Sequence, residues 1–136
     1  MGGPVVLIVE DNDKNLKLAR DLLQHDGFRT LEADTAAAGI ALAEQHVPDV
    51  VLMDIQLPDM DGVTALGHLR ALPATTSIPV VAITAFAMAT DRERLLAAGF
   101  DGYLAKPIDI HEFPHQVRSY CRRSLSAATR LSGNGS

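Results

Sequence analysis

Three short apolar runs constrain this chain more than any other feature: VVLIVE at 5–10, DVVLMD at 49–54 and PVVAIT at 79–84. A strand with one face in water alternates apolar with polar residues, whereas these runs are continuous and rich in β-branched side chains. They therefore predict central strands of a parallel sheet, covered on both faces. Helical spacings lie between them. Leu16, Ala19, Leu22 and Leu23 share one helix face, and Gly27 stands where a C-cap belongs. Residues 28–33 read as a weaker strand and 36–45 as an Ala-rich helix that ends before Pro48. Residues 62–72 form the next helix, stopped by Pro73, and 91–98 another, closed by Gly99. A short strand at 102–105 and a final helix at 110–124 complete five βα units. Strict alternation of strand and helix, with right-handed crossovers, leaves a doubly wound sheet with helices on both faces. No internal repeat is visible.

A length of 136 residues fits one domain, and 47% apolar against 21% charged residues is enough to build a core. The net charge of −5 argues against a nucleic-acid surface and favours cations or basic partners. The longest mostly apolar stretch, 79–89, is far below the ~20 residues of a membrane span. No basic leader precedes the first apolar run, and Glu10 and Asp11 follow it directly, unlike a secretory signal. A single cysteine, Cys121, allows no internal disulfide and suits a reducing cytoplasm. Residues 1–123 are expected to form the domain and 124–136, which end in SAATRLSGNGS, a polar tail.

In an open parallel sheet, ligands bind beyond the C-terminal ends of the strands. The residues expected there are Glu10 and Asp11 after the first strand, Asp54 after the third, Thr84 after the fourth, and Lys106 with Pro107 after the fifth. Three carboxylates brought together repel one another and need a positive counterpart. Lys106 and a divalent cation would supply it. Mg²⁺ suits best, with Mn²⁺ able to substitute, because such ions take one or two carboxylates plus water and phosphate oxygens. Beside a metal and a lysine, a carboxylate can act as a nucleophile toward phosphorus and form an acyl phosphate. Asp54, ending the central strand between the acidic pair and Thr84, is the best placed to do so, and Glu10 and Asp11 form the metal side.

At these residues the sequence resembles the receiver domains of two-component response regulators. The resemblance spans about residues 4–123 and rests on LIVEDN, LMDIQLPDMDG around Asp54, ITAFA at Thr84 and LAKPI at Lys106. DIQLP, TAFAM and KPI look especially like DivK-type single-domain regulators and the receivers of hybrid kinases. The resemblance implies a flavodoxin-like, three-layer α/β/α fold with five strands in the order 2-1-3-4-5. It implies that Asp54 accepts a phosphoryl group from a histidine kinase or histidine phosphotransfer protein. Mg²⁺ would be held by Asp11, Asp54 and the main-chain carbonyl of Gln56, with Glu10 reaching it through water. Lys106 would pair with a phosphoryl oxygen, and the Lys106–Pro107 bond would be cis. In the family's switch the Thr84 hydroxyl moves toward the phosphoryl group and is coupled to an aromatic, here Tyr103, which could otherwise be a packing residue at the sheet edge. Gln56 and Phe86 occupy positions that tune loss of the phosphoryl group to water.

Residues beyond 124 hold no DNA-binding pattern, so output is expected through docking onto an unknown downstream protein, by a monomer or weak dimer. Phe86 and Met88 are either part of that docking patch or buried. The result is a signalling phosphoacceptor, not a turnover enzyme, needing neither nucleic acid nor a membrane. The alternatives are the receiver of a hybrid histidine kinase and a receiver-fold module that binds without phosphate, the second disfavoured because all five site residues are present. A flavin-binding protein of the same topology is disfavoured because EDNDKN would repel a phosphate. HEFPH at 111–115 matches H-E-x-x-H, but Pro114 opposes the helix a zinc site needs, and Glu112 reads better in a capping box with Asp109. Arg118, Arg122, Arg123 and Arg130 complement a helix end or solvate a tail, and Cys121 is a packing residue.

Overall fold

The computed structural model describes residues 3–85 and 88–121. Its elements run β1 (Val5–Val9), α1 (Asp13–His25), β2 (Arg29–Ala33), α2 (Ala36–His46), β3 (Val50–Asp54), α3 (Gly62–Ala71), β4 (Val80–Thr84), α4 (Ala89–Ala98), β5 (Gly102–Ala105) and α5 (Phe113–Tyr120). All five strands are parallel, in the order β2-β1-β3-β4-β5.

Alternation along the central strands explains why their sequences look unbroken. Leu7, Val9, Val51, Met53, Val80 and Ala82 point to one face, where they pack with Ala43 of α2, Leu66 and Leu69 of α3 and Leu95 of α4. Val6, Ile8, Val50, Leu52, Val81 and Ile83 point to the other, against Ala19 and Leu23 of α1 and Phe113 and Val117 of α5. Both faces are dry, so neither can be polar. Burying each such side chain contributes about 1.5–3 kcal/mol.

The helix stops work as their chemistry suggests. Gly27 and Gly99 have φ of 92° and 113°, the left-handed region that glycine enters without a Cβ penalty. Two expectations need correction. The last helix begins at Phe113, not residue 110, with Pro114 in its first turn and Cys121 as its C-cap, while the expected residues 122–124 and the tail lie outside the described residues. Asp109 does accept from the Glu112 backbone N–H (3.2 Å) and from that of His111 (2.9 Å), but this closes a turn ahead of α5. His111 therefore precedes the helix that carries His115, and the two histidines share no helix face. Cys121 is buried in the α1–α5 layer.

Arg118 does more than solvate a helix end. Its guanidinium lies 4.4 Å from the Phe28 ring centroid and donates to the Asp26 carbonyl (2.7 Å) and Oδ2 (3.0 Å), tying α5 to the end of α1. Arg122, Arg123 and Arg130 lie outside the described residues.

Candidate functional site

Because the strands are parallel and in register, their C-terminal ends meet along one edge. Val9 pairs with Met53, Asp54 with Ile83 and Thr84 with Ala105. Glu10 and Asp11 leave β1 there, Asp54 and Thr84 are the last residues of β3 and β4, and Lys106 follows β5. Glu10, Asp54 and Thr84 are buried, whereas Asp11 and Gln56 are exposed at the mouth.

Both oxygens of Asp54 are fixed. Oδ1 accepts from the Gln56 backbone N–H at 3.0 Å, and Oδ2 accepts from Lys106 Nζ at 2.9 Å. Lys106 also pairs with Glu10 Oε2 at 3.2 Å, and Glu10 Oε1 accepts from the Asn12 backbone N–H at 3.1 Å. One carboxylate oxygen each from Glu10, Asp11 and Asp54 lies within 4.8 Å of the others. Glu10, Asp11, Asn15, Asp54, Gln56 and Lys106 line an open cavity of about 490 Å³.

Three carboxylates against one ammonium leave an excess of negative charge in a partly buried place. Burial pushes the Glu10 carboxyl above its usual range, and a hydrogen bond with Asp54 and its charge add to this. The Asn12 N–H and Lys106 oppose the shift without cancelling it. Burial by itself would lower the Lys106 ammonium, yet Asp54 and Glu10 outweigh it and hold the group above its ordinary value. An all-oxygen donor set with surplus negative charge fits a hard divalent cation and offers little to a softer metal.

The remaining expected residues are less tightly gathered. Thr84 lines a neighbouring cavity of about 460 Å³ between α3 and α4, with Ile55, Val63 and Leu95. Tyr103 is half-buried, and its hydroxyl accepts from Arg92 Nη1 of α4 at 2.6 Å. The same guanidinium stands 5.5 Å from the Tyr103 ring centroid. The Lys106–Pro107 peptide is cis. Met88 is not buried but 74% exposed, and Phe86 lies outside the described residues.

Two contributors were not visible in the sequence. Asn12 holds Glu10 through its main chain, which no side-chain pattern signals. Asp59 accepts from the backbone N–H groups of Ala36 and Ala37, a contact across more than twenty residues.

The family model of the response regulator receiver domain matches residues 6–118. The chain belongs to this family. The receiver is 42% identical over 115 residues to the polar-differentiation response regulator DivK of Brucella ovis, covering 85% of this chain and 94% of DivK. It is also similar to the receiver domain of the sensor histidine kinase PA1611 of Pseudomonas aeruginosa, with 34% identity, a TM-score of 0.79, and 87% and 97% of the two chains covered. That structure has a magnesium ion coordinated in its active-site cleft. The chemotaxis regulator CheY4 of Vibrio cholerae shares the fold, with a TM-score of 0.81 at 21% identity over 86% and 98% of the chains. The protein is thus a two-component signalling receiver with a flavodoxin-like fold, of a kind that works with a histidine kinase or phosphotransfer protein. Among the described residues no helix is long and apolar enough to cross a membrane.

Proposed function

We propose that Asp54 is the phosphoacceptor of this receiver and that phosphorylation is catalysed by its own site. The observation that carries this reading is the Asp54 carboxylate itself: buried, fixed at both oxygens, and beside the carboxylates of Glu10 and Asp11. An Asp54 oxygen attacks the phosphorus of a phosphohistidine. The new O–P bond forms as the P–N bond breaks, and the electron pair returns to the imidazole nitrogen, which takes up a proton. Positioning and charge neutralisation supply most of the catalysis in such transfers.

Asp11, Asp54 and the Gln56 carbonyl are suited to hold Mg²⁺, or Mn²⁺ in its place, with Glu10 reaching it through water. The bound ion supplies positive charge to the phosphoryl oxygens. Lys106, which holds Asp54 in the free protein, transfers its donors to the phosphoryl group once Asp54 is esterified. Thr84 and Tyr103 form the switch, biasing an existing equilibrium. Exposed Met88, at the start of α4, belongs to the docking surface for a downstream protein. The receiver, taken as residues 1–123 with a tail at 124–136, acts in the cytoplasm as a monomer or weak dimer.

Incubation with a phosphorylated histidine kinase tests the reading. Wild-type protein is expected to take up label and Asp54→Asn none, while Asp11→Ala needs more Mg²⁺ for the same labelling. Undiminished label in Asp54→Asn would assign the acceptor elsewhere. A second reading, the receiver of a hybrid kinase, is favoured by the 34% identity to the PA1611 receiver domain. Phosphotransfer profiling against the histidine kinases and phosphotransfer proteins of the source genome distinguishes the two: labelling by a separate kinase supports the single-domain regulator, and exchange with a phosphotransfer protein in preference to every separate kinase supports the hybrid-kinase receiver.

A further inference from the structure

The first backbone N–H groups of a helix have no partner within it. In α2 the N-cap Thr35 takes only one of them, from Ala38, at 3.1 Å. The helix has no acidic residue in its own first turn. The N–H groups of Ala36 and Ala37 are instead taken by Asp59, whose Oδ1 and Oδ2 accept at 2.9 Å each. These two bonds, in the positive field of a helix start, hold the Asp59 carboxyl below its ordinary range. Asp59 thus caps, from the far side of β3, a helix to which it does not belong.

Asp59 sits in the loop that joins β3 to α3, and that loop is also tied near both of its ends. Its ends meet where the Gly62 N–H donates to the Ile55 carbonyl at 2.8 Å. Gln56 and Asp61 form a bridge across it, and Asp61 Oδ1 caps α3 through the Thr64 N–H at 2.7 Å. Gly62 permits the closure, since a Cβ there would stand 2.9 Å from Ile55 Cα. The N–H of Gln56, the second residue of the loop, is the one that orients Asp54 Oδ1. A continuous path of hydrogen bonds and chain therefore runs from the start of α2 through Asp59 and the closed loop to the acidic site.

We propose that Asp59 is a positioning residue: it pins the loop to α2 and so holds the Gln56 main chain where Asp54 and a divalent cation require it. The inference rests on the reading of Gln56 as a metal-site residue. It adds that the loop's geometry is imposed from outside, by α2, and that motion of α2 changes metal affinity. Asp59 belongs neither to the carboxylate cluster nor to the lining of the acidic cavity.

The test is calorimetric titration of the full chain with MgCl₂, alongside thermal unfolding of the metal-free protein and acetyl phosphate labelling at graded Mg²⁺. Outer-shell partners of metal ligands typically change affinity by about 10–100-fold, and a residue one step further out is expected below that range, about 3–10-fold weaker for Asp59→Ala. At saturating Mg²⁺ its labelling rate should return to within about twofold of wild type, because the acceptor itself is intact. Asp59→Asn, which keeps one acceptor oxygen, should fall between the two and serves as the readable variant should Asp59→Ala not fold. A lowered melting temperature with unchanged Mg²⁺ affinity in Asp59→Asn and Asp59→Ala would make the residue a plain helix cap and overturn the proposal. Wild-type protein that binds Mg²⁺ but is not labelled would instead remove the phosphoacceptor reading and leave this one standing.

Discussion

Glu10 and Lys106 share one acidic partner, Asp54, and their protonation follows from where it sits. A carboxyl held above its ordinary value in the fold binds a proton that the unfolded chain has released. For Glu10 this costs stability as pH rises from the unfolded value of 4.5 up through the folded one. The raised Lys106 acts elsewhere: its contribution is complete below 10.5 and is lost as pH rises from there through its folded value. Urea unfolding of metal-free protein should therefore show wild type losing stability relative to Glu10→Gln as pH is raised from 4.5 toward neutrality. A constant difference between the two proteins across that window would contradict the assignment. At the same scale, Lys106→Ala is expected to retain labelling but to uncouple it from the spectral change that reports the switch, read by NMR at Tyr103.

At the scale of elements, α2 carries a strained end. Its C-cap Val47 has φ of 47°, a left-handed conformation that a β-branched residue enters at a cost of roughly 1–2 kcal/mol. The side chain is 40% exposed, so it recovers little by packing. Val47→Gly should stabilise the protein by about 1 kcal/mol net of the entropy glycine adds to the unfolded chain, as measured by chemical denaturation. Gly102 makes the opposite case. A Cβ there would collide with Cζ and Oη of Tyr120, the outer end of a half-buried side chain that must swing aside, so Gly102→Ala should cost about 1 kcal/mol and loosen β5 from α5. The strands and their terminal residues were legible because burial on two faces writes an unbroken apolar run, and the residue that ends such a run must lie at the sheet edge. Glu10, Asp11, Asp54 and Lys106 all end or follow such runs, so their meeting at one edge is legible in the sequence. It could not supply the Asp59 bonds to α2, the Arg92 bond to Tyr103 or the Arg118 stack on Phe28. Each joins positions whose sequence separation carries no periodic signal, and each depends on how helices settle on the sheet. The start of α5 differs from the sequence expectation for a related reason: Asp109 closes a turn with the same bond that caps a helix.

For the whole molecule, the two-faced core and the site are one construction. The sheet that buries Val51 and Leu52 on opposite faces also brings Asp54 to its edge, fixed to Lys106 across β4 and β5. A cation that binds only the folded site stabilises the whole chain, by about 2.7 kcal/mol at a hundred times its dissociation constant. Thermal unfolding with and without Mg²⁺ should show this gain in wild type and little of it in Asp11→Ala. The chemistry attributed to Asp54 can be read at the residue itself. Protein exposed to acetyl phosphate and Mg²⁺, then reduced with borohydride and digested, should yield a peptide in which position 54 is homoserine, about 14 Da lighter than aspartate, as reduction of an acyl phosphate requires. Homoserine at another carboxylate, or aspartate still intact at position 54 in protein that carries the phosphoryl mass, would contradict it.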